Sequence, residues 1–343
     1  MASGFLRRFG YAAVLIAFLA SAQEPFRITT TEVEVPVTVT TPKGQFVTDL
    51  EKGDFQVFDN DQEQTVTYFS RERNQPIVVG FLMDLSNASR THWKDYQNAA
   101  VDLVDTLLPG DKKYSGFLIG YTTQPSLMVN TTSDPEAIVA ALRKAKPGGG
   151  AALYDAIWQA CTARTLVNGE PQEPRRVFVI IGDGHDNAST RTLAEVLEKV
   201  QRDQVTIYGV STTSYGFGSD ADDDVLWKLA QGTGGKVEYP LQNVYRDISG
   251  YLEVPTDGGN YQYDLGTGGY AAAKANNIYR AIANITGEVT TQYILRYRPD
   301  VPPSSKNHRD IKVSVKLRNV NVRARQVYFP FGADESPADL RSR

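Results

Sequence analysis

"IVVGFLMDLSNAS", residues 77–89, runs an almost unbroken apolar stretch into an aspartate and then into small hydroxyl and amide residues. Seven residues rich in Val, Ile, Phe and Leu predict a strand over 77–83 that is buried on both faces, the pattern of a parallel sheet. Asp84 is then delivered to the strand's end, where Ser86 and Ser89 follow. A second run of the same kind, "RVFVIIGDG" at 176–184, delivers Asp183.

Between and beyond these runs, strands alternate with helices. Strands are predicted at 114–121, 126–129 and 205–211, with a short edge strand in "KVEYP". Helices are predicted around Trp93–Leu108, from Ser133 or Asp134 through "SDPEAIVAALRKA", in "LYDAIWQACTART", in "STRTLAEVLEKVQRD" starting near Ser189, and in "DDDVLWKLAQGT". Strands separated by helices of about 10–15 residues imply an α/β fold, a doubly wound and mostly parallel sheet with helices on both faces. Ligands of such sheets sit outside the carboxyl ends of the strands. Asp84, Asp183 and the glycine loop at Gly149 and Gly150 are therefore expected at one rim.

The flanks read differently. Polar and apolar residues alternate from Ile28 to Ser70, with a turn at Asp59–Gln62 between "FQVF" and "TVTYF", and again in "TTQYILRYRP", "RDIKVSVKLRN" and "VRARQVYFP". Period-two alternation predicts half-buried antiparallel strands. The two ends are expected to pair into a β-sandwich-like module with the α/β core inserted between them. The predicted divisions are a signal peptide at 1–22, an N-terminal β segment at 23–74, the α/β domain at 75–288 with an irregular insertion at 242–269, C-terminal strands at 289–331, and a disordered tail at 332–343. Arg7 and Arg8 before the apolar "YAAVLIAFLA", with small residues at Ala20–Ala22, are the parts of a secretory signal. That apolar run is too short for a membrane span, which needs about 20 residues. The expected location is periplasmic or extracellular.

Composition narrows the function. The chain has 343 residues, 41% hydrophobic and 22% charged, with a net charge of −4. No long basic block recommends a nucleic-acid partner. The sole cysteine, Cys161, can form no internal disulfide and is expected buried and unreactive. His92, His185 and His308 are the only histidines; they form no HExxH pattern, and no Gly-x-Ser-x-Gly elbow occurs, so an enzyme is not expected. "GTGGK" at 232–236 leads into a strand and lacks the remaining phosphate-loop residues. The acidic run Asp220–Asp224 precedes a helix and is read as capping. Asp186 and Asn187 are read as caps of the helix near Ser189.

Convergent Asp, Ser and loop oxygens suit a hard divalent cation. The arrangement resembles the von Willebrand factor type A domain over Gln75 to about Pro240, in "IVVGFLMDLSNAS", "GGGAALYDAI" and "IIGDGHDN". The flanking β segments are similar to those of the VWFA-related family abundant in Acidobacteria. The resemblance implies a metal-ion-dependent adhesion site built on Asp-x-Ser-x-Ser, a loop Thr and a later Asp. Asp84, Ser86 and Asp183 match it. Ala88 stands where the third position requires Ser, and Ala151 where the loop requires Thr, so two hydroxyl ligands are lost. Mg²⁺ or Mn²⁺ is the implied cofactor, with metal-free recognition as the alternative that the two alanines favour; His185 is a possible replacement ligand, and Asp84 and Asp183 are alternatively read as mere acceptors for loop amides. Ser89, Gly149, Gly150 and His185 are the remaining binding-edge candidates, with the Tyr-rich 245–270 stretch as a side wall. The implied function is a non-catalytic, adhesion-type module for a protein ligand. A self-associating envelope scaffold and a metal-assisted hydrolase are the other readings.

Overall fold

Along Ile77–Asp84 (β5) every residue is buried, and successive side chains enter two different cores. Ile77, Val79, Phe81 and Met83 face one core; Val78 and Leu82 face the other. This two-sided burial is why the strand reads as a continuous apolar run. The computed structural model describes residues 32–71, 76–162, 174–213, 224–241, 267–299 and 307–329. The signal peptide, most of the insertion, the Asp220–Asp223 part of the acidic run and the tail after Gly332 lie outside the described residues.

The first described strands are β1 (Val33–Thr40), β2 (Phe55–Asp59), β3 (Gln62–Gln64) and β4 (Val66–Ser70). After β5 come α1 (Trp93–Leu107), β6 (Tyr114–Tyr121), β7 (Pro125–Thr132), α2 (Pro135–Lys144), α3 (Leu153–Thr162), β8 (Arg175–Gly182), α4 (Leu193–Arg202), β9 (Val205–Ser211), α5 (Val225–Thr233) and β10 (Val237–Glu238). A long helix α6 (Thr267–Thr291) leads to β11 (Tyr293–Tyr297), β12 (Arg309–Val315), β13 (Asn321–Ala324) and β14 (Val327–Tyr328).

Six strands form the central sheet in the order β10-β9-β8-β5-β6-β7, parallel except for β7. Residues of α1, α2 and α6 share one core with the sheet, and residues of α3, α4 and α5 share the other. From β5 the chain first moves outward to β6 and β7, then returns to place β8 on the opposite side of β5. The strand order therefore reverses between β5 and β8, which is where open α/β sheets bind ligands.

The ends of the chain interleave in two antiparallel sheets, β13-β1-β11-β4 and β14-β12-β2-β3, around a shared core that includes Val35, Val37, Val57, Leu295 and Tyr297. The hairpin β2–β3 turns on Asn60 and Asp61, both at positive φ (47° and 63°), a two-residue turn whose twist suits the strands it joins. Asp59 is sealed inside this module at 0% exposure. Its carboxylate accepts from Arg309 Nε at 2.6 Å, Tyr328 Oη at 2.7 Å and Tyr297 Oη at 3.1 Å, tying β2 to β11, β12 and β14.

Several expectations are corrected. "TVTYF" belongs to a stretch that changes sheets at Thr65, giving β3 and β4, and "VRARQVYFP" splits in the same way into β13 and β14. Alternation sets which face is buried but not which sheet a segment joins. The last long helix extends past its expected 270–286 to Thr267–Thr291, so residues 267–269, assigned to an irregular insertion, are helical. The α4 helix begins at Leu193, with Thr192 and Glu195 forming a reciprocal capping box.

Candidate functional site

The carboxyl ends of β5, β6 and β8 arrive together because their registers align. Asp84 lies opposite Tyr121, the last residue of β6, and Met83 lies opposite Ile181, so Asp183 emerges one step beyond β8. Both motif carboxylates thus reach the same rim at the β5/β8 reversal. Asp84 is 1% exposed, and its Oδ1 accepts from the Ser86 amide at 2.7 Å. Its Oδ2 is buried without a hydrogen-bond partner among the described residues. Burial is the main cause that lifts the Asp84 carboxyl from 3.8 to about 6, with repulsion from Asp183 adding to it and bonds from Ser86 opposing it.

The Tyr121 phenol lies beneath the carboxylates. It is fully buried, its oxygen has no partner among the described residues, and burial together with Asp84, Asp183 and Asp186 pushes its acidity far out of range. Gly182 makes room for this pair: a Cβ there would stand 2.5 Å from Tyr121 Oη and 2.9 Å from Asp84 Cβ.

Four loops meet at the rim through direct hydrogen bonds. Asn87 donates to the Gly149 carbonyl at 3.0 Å, and Gly148 donates to Leu85 at 2.6 Å. Gly150 donates to Thr123 Oγ1 at 3.1 Å. The buried Ala151 has its amide on Asn187 Oδ1 at 2.9 Å, and its carbonyl accepts from Asn187 and Ala188 at 2.9 and 3.1 Å. Asp186 accepts from the Tyr154 amide at 2.8 Å and the Ser189 hydroxyl at 2.6 Å, while Asp155 accepts from the amides of Thr190 and Arg191. Asp186 and Asn187 therefore serve α3 and the loop before it, a correction to their reading as caps of α4. Capping residues cannot be assigned to a helix by sequence proximity when another helix end lies nearer in space.

The remaining sequence candidates separate by exposure. Ser86 is buried and accepts from the Ala88 amide at 3.2 Å. Ser89 is also buried and donates to the Ser86 carbonyl at 2.9 Å, so it is a turn residue rather than a binding-edge residue. Ala88, Gly149 and His185 are exposed at the rim, and the His185 backbone donates to Asp183 Oδ1 at 2.9 Å. Asp224 caps α5 by accepting from Trp227, and burial pushes the Cys161 thiol well up. The wall expected from the Tyr-rich segment falls almost wholly outside the described residues.

As a cation site the donor set is poor. Asp84 offers one unpartnered oxygen, Asp183 Oδ1 and Ser86 Oγ each already accept an amide, and Ala88 and Ala151 carry no side-chain oxygen. Among the described residues no three His, Cys, Asp or Glu side chains are grouped to hold a metal. Mg²⁺ takes near-octahedral oxygen coordination and usually keeps several waters, so Asp84, Ser86 and Asp183 would be its side-chain ligands here, with water completing the shell where Ala88 and Ala151 supply no oxygen. Tyr121, Asp155 and Asn187 were missed by sequence reading. Tyr121 carried a signal, since it ends the strand next to β5, but the other two become relevant only through contacts about 35 residues away in the chain.

Residues 77–239 match the profile of the von Willebrand factor type A domain, whose fold this sheet and its helices have. No curated protein sequence matches the chain. Among solved structures, a von Willebrand factor type A protein from Catenulispora acidiphila is similar at 12% identity and TM-score 0.42, covering 84% of this chain and 78% of that one. Proximal thread matrix protein 1 of the mussel byssus, in a structure with a zinc-occupied MIDAS motif, is similar at 11% identity and TM-score 0.43, with 67% of this chain and 49% of that one covered. The vWF domain of the type V pili tip protein Mfa5 from Porphyromonas gingivalis is similar at 16% identity and TM-score 0.29, covering 33% and 39%.

Proposed function

We propose that this chain is a non-catalytic, adhesion-type protein-interaction module, exported to the periplasm or beyond, whose degenerate adhesion site recognises a protein ligand without a metal. The resemblance of its β flanks to those of the VWFA-related proteins abundant in Acidobacteria supports the same reading. The observation that carries the reading is the state of Ala151: the residue standing at the loop-Thr position has no hydroxyl, and both its backbone groups are consumed by Asn187. The rim is thereby held together by protein hydrogen bonds, each worth about 1 kcal/mol net, where an intact adhesion site would use a cation. The exposed Ala88, Gly149 and His185 then form the contact edge. No helix among the described residues is long and apolar enough to cross a membrane.

The test is a pull-down from the native cell envelope with the mature protein, in EDTA and in Mg²⁺, beside an Ala88→Trp variant that puts an indole over the edge. Equal recovery in both buffers and loss in the variant are expected. Calorimetric titration with Mg²⁺, Mn²⁺ and Ca²⁺ is expected to show no millimolar binding. Binding that vanishes in Asp84→Ala, or recovery only in Mg²⁺, overturns the metal-free reading.

A further inference from the structure

The walls of the rim differ in charge. Ser86–Lys94, from the β5–α1 connection into the first turn of α1, and Val139–Ala152, from the second half of α2 through the α2–α3 connection, carry Arg90, Lys94, Arg143, Lys144 and Lys146 and no carboxylate, while the Asp95 that follows is paired with Lys274. The acidic residues Asp84, Asp183 and Asp186 are buried or half-buried, Asp186 being occupied by the Tyr154 amide and the Ser189 hydroxyl. All five cations are exposed, and none is in an ion pair among the described residues. This contrasts with a chain whose net charge is −4.

Two contacts tie the two segments together. The Arg90 Nη2 lies 3.7 Å from the Cβ position of Gly148, beside the glycine loop. Lys94 Nζ donates to Gln97 Oε1 at 3.1 Å, and Gln97 Nε2 donates to the Leu142 carbonyl at 2.6 Å, so Lys94 is linked through Gln97 to the last turn of α2, which carries Arg143 and Lys144. Helix-end cations are often explained by the dipole alone. That accounts for Arg143 and Lys144 but not for Lys146, Arg90 or Lys94, which lie outside that last turn and join it only through the fold.

From this asymmetry we infer that the wall formed by Arg90, Lys94, Arg143, Lys144 and Lys146 docks an acidic polypeptide segment, a run of Asp or Glu side chains on the partner, as it approaches the strand-end edge. A one-signed, unpaired patch beside a contact edge steers an oppositely charged partner and fixes its orientation. A peptide is favoured over a polyanionic lipid surface because the chain behind these cations carries a net charge of −4, which an extended anionic surface would repel. The inference rests on the interaction reading above and specifies its partner's chemistry.

The probe is a fluorescein-labelled octaglutamate, with octalysine as control, followed by fluorescence anisotropy at low and physiological salt. The expected result is binding of octaglutamate only, weakened by salt because exposed charges are screened within about 10 Å at 0.1 M. Arg90→Glu combined with Lys144→Glu and Lys146→Glu is expected to reduce it at least about tenfold, the scale of interfacial charge effects. Lys112→Glu with Lys113→Glu supplies charge reversal at the opposite end of β6 and is expected to leave it unchanged. No binding of octaglutamate, equal loss in the Lys112 and Lys113 variant, or tighter association with phosphatidylglycerol vesicles than with the peptide overturns the inference. If the envelope pull-down still recovers a partner through the edge while octaglutamate fails, the acidic-segment inference falls and the interaction reading stands; if both fail, both fall.

Discussion

Asp59 and Asp84 are both shut away from solvent, at 0% and 1% exposure, yet their surroundings are opposite. In the β module the Asp59 carboxylate meets a guanidinium and two phenols. At the rim of the α/β sheet Asp84 keeps one buried oxygen with no partner among the described residues, as does the Tyr121 phenol beside it. A fully satisfied buried charge fastens strands from distant parts of the chain. An incompletely satisfied one at a strand-order reversal is a cost that a folded protein retains at sites with another use.

The widest separation between the two regions is expected from removing each carboxylate. Asp59→Ala strands Arg309, Tyr297 and Tyr328 without their acceptor and is expected to cost about 3–5 kcal/mol in chemical denaturation. A loss under about 1 kcal/mol would erase the contrast. Asp84→Asn is expected to go the other way above neutral pH. The Asp84 carboxyl is raised from 3.8 to about 6 in the folded state, so its protonation favours folding fully below about pH 4, and that contribution is lost as pH rises through 6. The variant should therefore gain on the native protein by about 2–3 kcal/mol at pH 8 and lose that advantage near pH 4. Parallel stability profiles from pH 4 to 8 would show that the buried carboxylate is compensated after all.

Crowding gives a third comparison. Gly182→Ala drives a methyl group into Tyr121 and Asp84 and is expected to cost about 2 kcal/mol, within the usual range for overpacking. The smallest effect separates the two phenols. Tyr328→Phe breaks a 2.7 Å bond to Asp59 and should cost about 1.5–3 kcal/mol. Tyr121→Phe removes a hydroxyl with no partner among the described residues and should shift stability by less than about 1 kcal/mol. Equal losses in the two variants would mean that Tyr121 has a partner of its own, a bridging water being the simplest.

Much of the α/β core was legible because each of its central strands is apolar on both faces and three helix starts carry their own cap, Asp134 for α2, Thr192 for α4 and Asp224 for α5. Asp84, Ser86 and Asp183 could be nominated from the ends of two such runs. The errors share one origin. Asp186 and Asn187 looked like caps for α4, and Ser89 looked like an exposed hydroxyl, because sequence reading assigns polar side chains to their chain neighbours. Their hydrogen bonds go to α3, to the Ala151 backbone and to the Ser86 carbonyl.

The amino-acid sequence by itself determined the two periodicities, the strand ends that carry aspartate, and the alanines at 88 and 151, since these depend on residue type and on spacing along one element. Tertiary structure alone decided that segments such as 62–70 and 321–328 change sheets, that Tyr121 lies under the two carboxylates, and that Asn187 takes over the backbone of Ala151. Those outcomes depend on register between strands and on the distance between loops, and a buried polar group takes whichever partner the packed fold brings within hydrogen-bonding reach.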